Sequence, residues 1–177
     1  IVSNISGKSI LITGAANGIG LELVKIMDEM NCRKLILVDI DKQGLKKLSD
    51  EIKTSSETLV LDLSLDVFNN VNFCKVVENN EIDIIIANAG LGGVNPGDNF
   101  NEEINQKIMR VNYFGTTSII AKILPQMIKR KSGHIVGIAS LAGLRGMPQA
   151  ASYSASKAAQ ITFLESIRLD LKPHQVK

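Results

Sequence analysis

The sequence predicts an α/β protein built on a doubly wound parallel sheet with helices on both faces. Three observations carry that prediction. Short apolar runs alternate with stretches of helical apolar spacing along the whole chain, the pattern of strand–helix–strand units. The run at 82–87 is dense in isoleucine, as suits a central strand covered on both faces. A glycine-rich turn follows the first apolar run at once and opens a helix. Right-handed crossovers then favour the strand order 3-2-1-4-5, with room for a sixth.

In chain order, residues 8–13 form the first strand, and Gly14, Gly18 and Gly20 punctuate the turn after it. Residues 21–30 carry helical spacing at Leu23, Val24, Met27 and Met30. The second strand, 35–38, ends at Asp39, and either Asp39 or Asp41 is placed to cap a helix running to Ile52. A third strand at 58–61 ends at Asp62 and Leu63, and a helix at 67–78 leads to the fourth strand at 82–87. Asn88, Ala89 and Gly90 close that strand, and a polar, glycine-rich loop runs to Asn99.

Residues 103–129 predict one long helix with Asn112 near its middle and Pro125 toward its end. Asn is mildly unfavourable inside a helix and Pro disrupts one. The plain expectation is a solvent-facing Asn and a bend near the C-terminus. The fifth strand, 134–139, delivers Ser140 at its carboxyl end, with His134 structural at the opposite end. The last helix spans 153–171, and Val176–Lys177 stands where a sixth strand would begin.

Composition narrows the function classes. The 177 residues fit one domain, 1–177, able to bury a core. A net charge of +2 provides no broad basic field, so nucleic acid is not an expected partner. Cys32 and Cys74 lack metal-ligand spacing and suggest no disulfide framework. No metal site is expected, and a reducing, cytoplasmic setting is. No apolar stretch approaches the roughly 20 residues of a membrane span, and no signal-peptide pattern opens the chain.

The chemistry-bearing residues cluster at the carboxyl ends of the strands. A strand, a glycine turn and a helix start present backbone N–H groups and a positive dipole end to a phosphate, which makes Gly14, Asn17, Gly18, Ile19 and Gly20 a pyrophosphate cradle. Asp39 lies about 20 residues beyond, where a carboxylate accepts from ribose hydroxyls and repels a 2′-phosphate. Ile40 follows with no Arg beside it, so NAD is preferred and NADP remains open. Tyr153 and Lys157 sit four apart in Tyr-Ser-Ala-Ser-Lys and share one helix face.

These motifs in register resemble the short-chain dehydrogenase/reductase family, in its non-extended branch, over essentially the whole chain. The turn from Thr13 to Gly20 is similar to the family's Thr-Gly-x-x-x-Gly-x-Gly, and Asn88-Ala89-Gly90 to its Asn-Ala-Gly. Asp62 and Leu63 resemble the pair that contacts adenine. Asn112, Ser140, Tyr153 and Lys157 match the catalytic tetrad in order and spacing. The resemblance implies a Rossmann-type fold and hydride transfer between a nicotinamide cofactor and a secondary alcohol or carbonyl compound. Tyr153 would serve as general acid/base, Lys157 would favour its phenolate and bond the nicotinamide ribose, and Ser140 would polarise the substrate oxygen. Asn112 would bend its helix and hold a water leading to Lys157.

By the same resemblance the sixth and seventh strands and the substrate loop are missing, so a truncated form of a longer enzyme is expected, itself of doubtful activity. Two alternatives stand beside it: a non-catalytic NAD-binding or regulatory module, and a sugar-nucleotide epimerase on the same fold, which the glycine spacing disfavours. The wall at 141–149, with Leu144, Met147 and Pro148, tilts toward an apolar small-molecule substrate. A homodimer or homotetramer is expected from the family alone.

Overall fold

The computed structural model describes residues 5–177. Residues 1–4, on which the reading of the chain's start falls, lie outside the described residues. Five parallel strands, β1 (Ser9–Thr13), β2 (Lys34–Asp39), β3 (Ser56–Val60), β4 (Ile84–Ala87) and β5 (His134–Gly137), stand in the order β3-β2-β1-β4-β5. The predicted order is borne out. Because the chain leaves β1 toward β2 but reaches β4 on the other side, strand order reverses between β1 and β4. A crevice at the carboxyl ends follows from that reversal.

Alternation along the strands divides the core in two. Ile10 and Ile12 of β1, Leu35 and Leu37 of β2, and Ile84 and Ile86 of β4 pack on one face with Val24, Leu45 and Leu48. Leu11, Ile36, Val38 and Ile85 point to the other face, against Phe73, Ile119, Ile123 and Met127. Successive side chains of a strand face opposite ways, so a strand covered on both sides is buried at every position. β1 is buried at all its residues.

The helices that supply these covers are α1 (Gly18–Asp28), α2 (Lys42–Glu51), α3 (Val71–Asn79), α4 (Glu102–Met109), α5 (Thr116–Arg130) and α6 (Ala151–Asp170). Asp41 caps α2, its Oδ1 accepting the N–H groups of Gln43 and Gly44. Asn70 caps α3 by accepting from Phe73 N–H, so that helix starts later than the predicted 67.

Four further expectations are corrected. The long helix predicted at 103–129 is two helices joined by a π-helical segment, Arg110–Gly115. Asn112 lies in that wider turn and is fully buried rather than facing solvent. The close approach of Gly115 to Leu63 accompanies the segment, since a Cβ on Gly115 would stand 2.7 Å from Leu63 Cβ.

The fourth strand begins at Ile84, not Ile82. Asp83 is a polar anchor at its base, where its carboxylate accepts from Ser9 N–H at 2.9 Å and from Arg33 at 3.1 Å. The fifth strand likewise stops two residues short of the predicted end. The expected start of a sixth strand is visible in part. Val176 bridges Gly133 in parallel, and Ile135 N–H donates to the Lys177 carbonyl at 2.7 Å.

Candidate active site

At the carboxyl ends of the strands lies an open cavity of about 710 Å³. Its walls come from all five strand ends: Asp62 and Leu63 after β3, Asp39 and Ile40 at β2, Gly14, Asn17, Gly18 and Ile19 after β1, Asn88, Ala89 and Gly90 after β4, and Ile138 and Ala139 after β5. Tyr153 and Lys157 of α6 close the β5 end. A second cleft, of about 570 Å³, runs between β5 and α6 past His134 and touches none of the predicted site residues.

The glycine turn is shaped by contact on one side and openness on the other. Gly14 adopts φ +65°, and a Cβ there would stand 2.9 Å from Ala89 Cα. Gly20 does not line the cavity. It lies buried behind the turn, where a Cβ would collide with the Gly14 carbonyl. Gly18, at φ +56°, faces open space. Asn17 makes no side-chain cap bond to α1, so the first-turn N–H groups of an 11-residue helix are left for another acceptor. An anionic pyrophosphate fits that end by dipole and donor alike.

Thr13 and Asn88 lock the turn to β4. Thr13 Oγ1 accepts from the N–H groups of Asn88 at 3.1 Å and Ala89 at 3.0 Å. Asn88 Nδ2 returns bonds to the Thr13 and Gly14 carbonyls. The switch point between β1 and β4 is thereby held open at a fixed width. Asp39 is also fixed. One carboxylate oxygen accepts from Ala16 N–H at 2.9 Å and the other from Asp41 N–H at 3.0 Å. Each oxygen retains a lone pair for a ribose hydroxyl. Asp62 is held similarly by Ser64 N–H.

Of the four predicted catalytic residues, the structure brings two to the cavity wall. Tyr153 is half-buried there, and no side chain among the described residues hydrogen-bonds its hydroxyl. Lys157, one turn on, is buried, and its Nζ donates to the Ile138 carbonyl at 2.8 Å and Gln160 Oε1 at 3.0 Å rather than to Tyr153. Burial holds the Lys157 ammonium below the ordinary lysine pKa.

The other two are not among the residues that line the cavity. Ser140 follows Ala139, and its Oγ accepts from Ala142 N–H. Asn112 exchanges bonds with the Leu91 backbone and donates to Ser156 Oγ at 2.9 Å. It therefore joins the loop after β4 to the helix that carries Tyr153.

Several residues with roles here escape a motif-based reading. Ser156, within the Tyr153–Lys157 stretch, accepts from Asn112 and donates to the Tyr153 carbonyl. Asn95 is fully buried, bonding both backbone groups of Asn101 and Ser152 Oγ. Ser156 sits in a helix and Asn95 in a polar loop, and nothing in the sequence shows what either one faces. The described residues contain no group of three or more metal-ligating side chains, and Cys32 and Cys74 are both free. No helix among them is long and apolar enough to cross a membrane.

Comparison with known proteins places the chain in a family. The family model described as short chain dehydrogenase matches residues 8–177, and the chain belongs to that family. An uncharacterized oxidoreductase of Myxococcus xanthus is 34% identical over 97% of this chain and 69% of its own length. A Drosophila melanogaster dehydrogenase/reductase SDR family protein 7-like is 32% identical over 96% of this chain and 54% of its own. The chain thus spans about half to two thirds of such relatives. Among solved structures, NAD+-bound xylitol dehydrogenase superposes with TM-score 0.87 at 29% identity, covering 98% of this chain and 68% of that one. A metagenomic short-chain oxidoreductase in complex with NADP reaches 0.90 at 28% identity, covering 99% and 81%. These confirm the Rossmann-type fold, and both neighbours carry a nicotinamide cofactor.

Proposed function

We propose that this chain is the cofactor-binding and catalytic part of an NAD-preferring dehydrogenase acting on a secondary alcohol or its carbonyl counterpart. The observation that carries the reading is one cavity with the glycine turn and Asp39 toward one end and Tyr153 with Lys157 at the other. When bound there, nicotinamide supplies or accepts the hydride.

The protein's own part is positioning and proton transfer. The uncapped start of α1 holds the pyrophosphate, and Asp39 receives ribose hydroxyls while disfavouring a 2′-phosphate. Tyr153 gives a proton to the substrate oxygen in reduction and removes it in oxidation. The Lys157 ammonium, one turn away, sets a positive charge on the same cavity wall. Ser140 aids by hydrogen-bonding the substrate oxygen where charge develops. Asn112 keeps the loop after β4 and α6 in register, and the predicted water toward Lys157 belongs to the same reading.

Leu141, Leu144 and Met147 are all exposed beside the site. They support a small apolar substrate, and the exposed Phe68 and Phe114 support self-association. Two free cysteines are in keeping with a reducing, cytoplasmic setting. The test of the central reading is Tyr153→Phe assayed against a panel of secondary alcohols and ketones. Lost turnover with retained NADH binding supports it, and unchanged turnover overturns it.

A further inference from the structure

Gln160 occupies the position on α6 one turn beyond Lys157 and is fully buried. Glutamine is mostly a surface residue, and buried amides normally satisfy both ends. Here Oε1 accepts from Lys157 Nζ at 3.0 Å, while Nε2 is buried with no hydrogen-bond partner among the described residues. Leaving buried donors unmade is a standing penalty that an apolar side chain of the same length would not carry. What glutamine supplies and methionine does not is an amide oxygen facing the ammonium.

We propose that Gln160 is a positioning residue for Lys157, its amide oxygen acting with the Ile138 carbonyl to keep the buried ammonium charged and aimed, with one N–H left for a bound hydroxyl. This rests on the role given to Lys157 above. An ammonium has three N–H donors, and two of them are taken by these oxygens. The third is the donor left for a ligand in the cavity that Lys157 lines.

The choice of a neutral acceptor matters. Burial works against the charged form of Lys157, and a hydrogen bond accepted from that form works for it. A carboxylate at this position would hold the proton harder but would cancel much of the field at Tyr153. An amide oxygen steadies the charge without neutralising it. The groups packed around Nζ are also uncharged. A Cβ on Gly90 would stand 3.4 Å from Nζ and 3.6 Å from Asn112 Oδ1. The ionisable side chains lining the same cavity are Asp39, Asp62, Lys107 and Tyr153.

The experiment titrates Lys157 directly, by NMR of the protein with isotope-labelled lysine, the signal being assigned by its loss in Lys157→Met. Gln160→Met keeps the volume and removes the oxygen, so the deprotonation midpoint should fall by about one pH unit. Gln160→Glu supplies a charged acceptor, so the midpoint should rise by a similar amount. A space-filling role predicts the same midpoint in the Met variant as in the unaltered protein, and that result overturns the proposal. Should the Met variant not fold, Gln160→Leu, which also removes the oxygen, is titrated in its place: a lower midpoint supports the proposal, and an unchanged one rejects it. The titration needs no turnover, so its outcome is separable from that of Tyr153→Phe, which tests the catalytic reading.

Discussion

Asn112 and Leu91 exchange two hydrogen bonds: Leu91 N–H donates to Asn112 Oδ1 at 2.6 Å, and Asn112 Nδ2 donates to the Leu91 carbonyl at 3.0 Å. An asparagine side chain here pairs with backbone as a neighbouring strand would, at full burial. The loop after β4, which lines the cavity, is held by that pair.

Asn112→Ala should therefore leave two Leu91 backbone groups unmade, together with the contact to Ser156. A loss of about 1–3 kcal/mol is expected on the scale of unsatisfied buried groups, read as a lower urea midpoint with unchanged m-value. NADH affinity should fall as well, because Leu91 lines the cavity. Full stability in this variant would remove the structural role.

Tyr153→Phe removes a hydroxyl that no side chain among the described residues engages, so the fold should be insensitive to it. Turnover should drop by about 10²–10⁴-fold, the range for a lost general acid/base. Fluorescence titration should find NADH affinity close to that of the unaltered protein.

Asp39→Ala should narrow the gap between NADH and NADPH affinity by removing both the ribose acceptor and the repulsion of a 2′-phosphate. It also leaves the N–H groups of Ala16 and Asp41 without their carboxylate acceptor. Parallel titrations with the two cofactors measure the ratio. Equal affinity for both in the unaltered protein would contradict the NAD preference.

Away from the site, Glu57 gives a pH signature. Burial works to raise its pKa, but hydrogen bonds from Lys34 and Asn80, with the Lys34 charge, outweigh it and leave the carboxyl below its ordinary value. The native state therefore binds this proton more weakly than the unfolded chain does. The stabilisation is present above the unfolded pKa, about 4.3, and is lost as pH falls through the lower folded value. Glu57→Gln should lower stability at neutral pH and flatten its decline below pH of about 4. Urea melts of both proteins across that range check it.

The sequence by itself determined the parallel sheet, its strand order and the cofactor turn. These depend on local periodicity, on glycine spacing and on the handedness of crossovers, all written along the chain. It also singled out Tyr153 and Lys157, whose four-residue spacing places them on one helix face whatever surrounds them. What the tertiary structure decided is what each polar residue meets. Asn112 reads as an awkward interior residue until the π-helical segment turns it into the loop at Leu91. Asp83 reads as part of a strand until Ser9 and Arg33 claim its carboxylate. Lys157 reads as a neighbour of Tyr153, yet its ammonium is held by the Ile138 carbonyl and by Gln160, which no motif marks. Side-chain partners come from elements far apart in the chain, and burial sets which pairings are worth making. Neither is encoded by local spacing, so only the packed fold shows them.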